Sequence, residues 1–276
     1  MPINKEHSVM AIINITPDSF YEKSRCLDVK NLEERLRSLK NSPFDILDIG
    51  SYSSRPNGKY VSNGKYVSKE EELSRLLPAL QLIKQTFPKA VISIDTFRAD
   101  VAEACIKQFD IDIINDISGG TLDERMYDVV AKYQKAYVLM HMRGTPQTMS
   151  LAGNTQYENL LEEITDFFDK RIKQLEQAGC KDIILDPGFG FAKTTEQNYT
   201  LLKNLQLLKK WGYPLLVGFS RKSMIWEPLN TTPESSLNGT TVLNTLALTQ
   251  GANILRVHDV NEAHEAIKLF TTYNHA

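Results

Sequence analysis

No stretch of this sequence approaches the roughly 18 consecutive apolar residues of a membrane span, which excludes a helical membrane protein. Charge of one sign is lacking too. The 32 basic and 34 acidic residues are interspersed and leave a net charge of -2, so nothing favours nucleic acid or a membrane surface as partner. Any anion site must therefore be local. Cysteine is scarce: Cys26, Cys105 and Cys180 are odd in number, far apart and in no Cys-x-x-Cys pattern, so they read as reduced thiols in a reducing compartment. Histidine and cysteine form no cluster that suggests zinc. The first ten residues hold Lys5, Glu6 and His7 instead of a signal-peptide run, and a cytoplasmic address is the expectation. No change of composition marks a linker, and 42% hydrophobic residues over 276 can bury one large core. A single domain over residues 1–276 is expected.

What is present is a beat of short apolar runs, each followed by a longer amphipathic segment. Eight runs stand out: Val9 to Thr16, Asp45 to Ser51, Ala90 to Thr96, Ile111 to Ser118, Ala136 to Met142, Asp182 to Gly188, Pro214 to Ser220 and Ile254 to Asp259. They are apolar without alternation, as parallel strands covered on both faces require. Ser68 with Glu71, Thr194 with Gln197 and Asp259 with Glu262 fit capping boxes, and Pro233 after Thr232 suits a first helical turn. Eight such units point to an α/β protein with a closed (β/α)8 TIM barrel. A doubly wound open sheet shares the same local alternation.

In a barrel the C-terminal strand ends face the active site, and here those ends are polar. Asp95, Asn115, Asp186 and Lys222 lie at or just beyond the ends of different runs. Together they suit a flat, amide-rich heterocycle, since a carboxylate accepts parallel N–H bonds and an ammonium donates to a ring carbonyl or nitrogen. A second set, Asn14, Arg55, Arg256 and His258 with Ser54 nearby, is rich in donors for phosphate oxygens. Asn14 offers an amide oxygen to Mg2+, which would keep most of its waters and bridge to phosphate.

The segments INITPDSF (Ile13 to Phe20), DIGSYSSRP (Asp48 to Pro56), SIDT (Ser93 to Thr96), INDISGG (Ile114 to Gly120), MHMRGTPQTM (Met140 to Met149), DPGFGFAKT (Asp186 to Thr194), GFSRKS (Gly218 to Ser223) and LRVHDV (Leu255 to Val260) occur in this order, one per unit. Taken together they resemble the dihydropteroate synthases. That resemblance implies a transferase of folate biosynthesis that joins 6-hydroxymethyl-7,8-dihydropterin pyrophosphate to 4-aminobenzoate with Mg2+, as a homodimer open to sulfonamide inhibitors. It assigns Asp95, Asn115, Met140, Asp186 and Lys222 to the pterin, Asn14, Arg256 and His258 to the pyrophosphate, and Asn14 to the metal. Ser54, Arg55, Pro56, Phe191, Ser220 and Lys222 would form the aminobenzoate pocket. Lys222, Arg256, His258 and Arg55 would carry catalysis.

The chain also departs from the family pattern. Tyr21 to Ser24 stand where the family usually has Ser-Asp-Gly-Gly, with Glu22 as stand-in for its aspartate, and Tyr52 replaces a usual glutamate. Asn57 to Ser62 reads NGKYVS, and Asn63 to Ser68 repeats it. The repeat has the form of a tandem duplication, expected either to weaken sulfonamide binding more than aminobenzoate binding or to be a neutral surface insertion. Doubling a loop costs only about 0.6 kcal/mol of closure entropy, so the fold should tolerate it. Two other readings share the barrel: a pterin-binding methyltransferase module and a non-catalytic folate-binding paralogue. Lys222, Phe191 and the Thr16-Pro17-Asp18 segment argue against the first, and the presence of Arg55, Lys222, Arg256 and His258 argues against the second.

Overall fold

A computed structural model of the chain describes residues 5–15, 29–52 and 67–276. Eight parallel strands run through them: β1 (Ser8–Asn14), β2 (Ile46–Gly50), β3 (Val91–Asp95), β4 (Ile113–Asp116), β5 (Ala136–Met140), β6 (Ile183–Asp186), β7 (Leu216–Val217) and β8 (Ile254–Val257). Their order is β6-β5-β4-β3-β2-β1-β8-β7. The first strand pairs with both the second and the eighth, which leaves β6 and β7 at the two ends of that order, and the contact between them closes the barrel and removes the open-sheet alternative. The remaining seam is joined by one parallel bridge, Leu185 to Leu215, where Leu185 N–H donates to the Pro214 carbonyl at 2.9 Å. Each strand is shorter than, or ends before, the apolar run that announced it. β7 shrinks to two residues beside Pro214, which has no N–H for a ladder.

The runs look continuously apolar because side chains alternate between two covered faces. Inward-facing Met10, Ile46, Val91, Ile113, Val138, Ile184, Leu216 and Ile254, one per strand, pack on each other as a ring inside the barrel. Their outward neighbours, among them Val9, Leu47, Ile92, Ile114, Leu185, Val217 and Leu255, join the larger core beneath the surrounding helices. Cys105 and Cys180 are buried and unpaired there, and burial pushes their thiols up to about 12 and about 11. Cys26 lies outside the described residues.

The helix starts are mixed in outcome. Thr194 and Gln197 make the full reciprocal capping box. Ser68 accepts from Glu71 N–H at 3.1 Å, but the Glu71 carboxylate pairs with Arg75, so only half of that box forms. Asp259 does not cap helix Val260–Asn274. Its two oxygens are instead taken by Arg221 Nε and Nη2, both at 2.9 Å, because a bidentate guanidinium outcompetes a local N–H. Pro233 is not in a first helical turn either; it sits in a turn that precedes helix Leu237–Thr249.

Candidate active site

Two residues beyond the apolar ring, the same inward face turns polar. Ile46 is followed by Asp48, Val91 by Ser93 and then Asp95, Ile113 by Asn115, Ile184 by Asp186, and Ile254 by Arg256 and then His258. A period of two, about 6.7 Å along a strand, therefore lifts each of these groups from the barrel's core to its C-terminal mouth. Register brings them side by side: Asp48 pairs with Ser93, Asp95 with Asn115, and Met140 with Asp186.

Asp48 is fully buried and gathers three donors. Ser93 Oγ donates to its Oδ1 at 2.6 Å, while Asn115 Nδ2 at 3.1 Å and Arg256 Nε at 2.6 Å donate to Oδ2. Arg256 Nη2 reaches on to Asp95 Oδ2 at 2.8 Å, so one guanidinium bridges two carboxylates. Those two contacts use Nε and Nη2 of Arg256 and leave Nη1 out, and the buried Asn115 Oδ1 has no hydrogen-bond partner among the described residues. Buried polar groups in native proteins are normally paired, so Asn115 Oδ1 is positioned for a ligand.

The charges feel each other as a cluster would. Burial pushes the Asp95 carboxyl up to about 7, opposed by Arg256 and assisted by Asp48. Burial also raises Asp186, with the Gly188 N–H and Lys222 pulling the other way. Lys222 is brought down by burial to about 8, with Asp186 opposing. His258 is held well below the usual imidazole range, first by burial and then by Arg256. The backbone N–H of His258 donates to Ser220 Oγ at 3.2 Å, which ties β8 to the end of β7.

A tight turn after β6 forms one wall. Asp186 Oδ1 accepts from Gly188 N–H at 2.8 Å. Gly188 has φ +70°, and a Cβ there would stand 2.1 Å from the His141 carbonyl oxygen, so no side chain fits. Gly190, at φ +78°, leaves room for the Lys222 stem, which a Cβ would meet at 3.0 Å. Lys222 Nζ donates to the Phe189 carbonyl at 2.6 Å and lies 4.6 Å from the Phe191 ring centroid. Phe191 packs with Met140, Ile117, Met142 and Met149 as an apolar patch at the mouth, which suits the face of a planar ring. Beneath the turn, Lys193 Nζ lies 3.1 Å from each of His141 Nδ1, the Gly188 carbonyl and the Phe191 carbonyl. Burial brings Lys193 down to about 7, with Asp186 opposing.

Asp95, Asn115, Met140, Asp186, Phe191, Ser220, Lys222, Arg256 and His258 are thus brought to one end of the barrel, with Asn14 at the close of β1. Ser54, Arg55 and Pro56, Glu22, the Thr16-Pro17-Asp18 segment and residues 57–66 of the duplicated repeat lie outside the described residues. Asp116 turns away from the mouth. It accepts from Ser118 N–H and Oγ, Gly120 N–H and Tyr137 Oη at 2.7 to 3.0 Å and closes the turn after β4. Arg221, at φ +55°, is likewise structural: besides Asp259 it donates to the Pro233 and Glu234 carbonyls, and it aims Lys222 inward. Reading the strand ends overlooked Asp48, Ser93 and Lys193. The first two lie within strands and would have emerged from counting in twos from Ile46 and Val91.

Residues 10–258 match the family model described as pterin binding enzyme. The chain belongs to the pterin-binding enzyme family. A dihydropteroate synthase of Clostridium beijerinckii is 39% identical over 270 residues, covering 97% of this chain and 94% of its own. The crystal structure of the Yersinia pestis dihydropteroate synthase in a sulfonamide drug complex superposes with a TM-score of 0.86 at 35% identity, over 98% of this chain and 95% of that one. The Xanthomonas albilineans dihydropteroate synthase with 4-aminobenzoic acid gives 0.84 at 33% identity, over 98% and 94%. Within the family this chain is a transferase of the dihydropteroate synthase type, and the (β/α)8 barrel expected from the sequence is the barrel of these neighbours.

Proposed function

We propose that this enzyme condenses 6-hydroxymethyl-7,8-dihydropterin pyrophosphate with 4-aminobenzoate, forming 7,8-dihydropteroate and pyrophosphate in folate biosynthesis. The observation that carries this reading is the convergence of Asp95, Asn115, Asp186, Lys222 and Arg256 on one mouth beside an apolar patch, where a flat ring and a diphosphate can lie together. Asn115 Oδ1 and the carboxylates of Asp95 and Asp186 are acceptors for an amino-pyrimidinone edge, and the Lys222 ammonium is a donor for its carbonyl or ring nitrogen. Met140 and Phe191 supply the apolar contact.

In the reaction the bond between the pterin methylene and the diphosphate oxygen breaks first, and the pair of electrons leaves with pyrophosphate. The aryl amine lone pair then forms the new C–N bond, and the amine proton is lost to solvent. An aniline is neutral at pH 7 and needs no base before attack, so the protein's work is to hold the leaving group and orient the two rings. Arg256 would offer Nη1 to the diphosphate, neutral His258 would donate a hydrogen bond, and Lys222, with Arg55 from outside the described residues, would complete the donor set. Ser220, Phe191, Ser54, Arg55 and Pro56 would border the aminobenzoate.

Among the described residues no group of three or more His, Cys, Asp or Glu could enclose a metal. A single amide oxygen, Asn14, at the edge of the mouth fits an ion that keeps its waters and rides on the diphosphate, as Mg2+ does. Bound there, Mg2+ would supply charge neutralisation to the leaving group. Exposed Val242 and Leu246 on helix Leu237–Thr249 and Leu269 and Tyr273 on helix Val260–Asn274 offer an apolar face suited to a homodimer, testable by sedimentation. Two buried reduced thiols suit a cytoplasmic setting, and no described helix is long and apolar enough to cross a membrane. Deleting Asn63 to Ser68 should restore sulfonamide inhibition if the duplication confers resistance; unchanged inhibition would remove that role. The reaction itself is tested by incubating the purified protein with both substrates and Mg2+ and looking by mass for dihydropteroate, whose absence would overturn the reading.

A further inference from the structure

Asp48 touches none of the solvent at the mouth, yet three of the site's donors end on it. We infer that Asp48 is the positioning residue that fixes both the orientation of the Asn115 amide and the aim of the Arg256 guanidinium, and thereby the acceptor and donor pattern shown to the pterin and its diphosphate. This rests on the pterin reading above and adds a residue to it.

The chemistry of the donors makes the case. A carboxylate only accepts, so the Asn115 atom 3.1 Å from Asp48 Oδ2 must be the amide nitrogen. The amide oxygen is then turned the other way, where it stands buried and without a partner in a residue only 2% exposed. A buried acceptor left unmade is costly, and a ring N–H relieves it. The same Asp48 oxygen holds Arg256 by Nε, at 2.6 Å. With Nη2 on Asp95, the plane of the guanidinium is set by two contacts and Nη1 is left for an anion. Ser93 Oγ on the other Asp48 oxygen stops the carboxylate from rotating. Asp48 therefore acts only through its neighbours.

The test is Asp48→Asn, nearly identical in volume but unable to accept at both positions. The KM for dihydropterin pyrophosphate should rise roughly 10- to 100-fold, as loss of charge-assisted hydrogen bonds implies, while the KM for 4-aminobenzoate stays unchanged. In an Asn115→Ala background the same substitution should cost much less, because part of its route is already gone. A folded Asp48→Asn with parental KM for the pterin substrate, or an equal loss in both backgrounds, overturns the inference. If Asp48→Asn does not fold, Ser93→Ala provides the second arm: a rise confined to the pterin KM supports the inference, and no change or an equal change in both KM values overturns it. An inactive parent protein would sink the proposed function, whereas an active parent with an insensitive Asp48→Asn sinks only this assignment.

Discussion

The lower and upper rings of the barrel interior stand on the same strands in the same inward register, two residues apart. Below, Met10, Ile46, Val91, Ile113, Val138, Ile184, Leu216 and Ile254 fill the barrel with hydrocarbon. Above, Asp48, Ser93, Asn115, Asp186 and Arg256 bury hydrogen-bonded charge. The lower ring gains by leaving water. The polar mouth works against desolvation, visible beside the upper ring in an Asp95 raised to about 7 and a Lys222 lowered to about 8 by burial. On β2, β3, β4, β6 and β8 stability and chemistry are thus separated by one inward step, and substitutions should divide the same way.

The largest effect is expected in the upper ring. Arg256→Ala should lower turnover on the order of 10²- to 10³-fold, the usual loss for one donor to developing negative charge. The protein should still fold, since the apolar ring beneath is untouched. Steady-state kinetics with both substrates check this, and near-parental turnover would remove Arg256 from leaving-group stabilisation. Ile184→Ala, one step below Asp186, should do the reverse. It should cost about 2–4 kcal/mol of unfolding free energy through lost burial and a residual cavity, read by denaturant titration, while the folded protein keeps its KM values.

How far the two rings were legible in the sequence follows from the same geometry. The eight strands were readable because strands covered on both faces are apolar along their length, while their closure into a barrel rested on the family motifs, because an open sheet shares the same periodicity. Asp95, Asn115, Asp186, Lys222 and Arg256 were readable because they fall at or near run ends. Asp48 and Ser93 were not, because each interrupts an apolar run that was read as continuous. Lys193 follows the Gly-rich turn and looks like the approach to a helix; only a turn with φ +70° at Gly188 and +49° at Ala192 folds it under the site. Asp259 looked like a cap because the competing guanidinium, Arg221, comes from 38 residues away, and no local pattern reveals it.

The pH dependence sharpens the comparison, since the lower ring has nothing to titrate. Asp95 has a folded value near 7, above the ordinary carboxyl range near 3.9. Between those values the folded protein holds a proton that the unfolded chain has released, so this group's contribution is fully present below about pH 4 and is lost as pH rises through about 7. Lys193 and Lys222 run the other way: both are depressed in the folded state, so their contribution rises with pH from about 7 toward the ordinary lysine value. Asp95→Asn should flatten the acid-side slope of unfolding free energy against pH in ligand-free protein and leave the alkaline side alone. An unchanged slope would mean that Asp95 stays ionised in the fold. Binding of the pterin, which wants the carboxylate as acceptor, should strengthen as pH rises through about 7 in the parent and lose that trend in the variant.

The smallest effect tests where the border lies. Ile46 belongs to the lower ring, and Asp48 is its next inward neighbour along β2. Ile46→Val removes one methylene and should cost about 1 kcal/mol of stability, with no change in either KM. The close packing of a barrel interior transmits strain, so this null result is a demanding one. If the pterin KM rises with so small a cavity, Asp48 is being held by the hydrocarbon beneath it as well as by Ser93, and the two rings are one mechanical unit. If it does not, the three donors on Asp48 suffice to fix it, and the polar ring can change its specificity without disturbing the core that carries it.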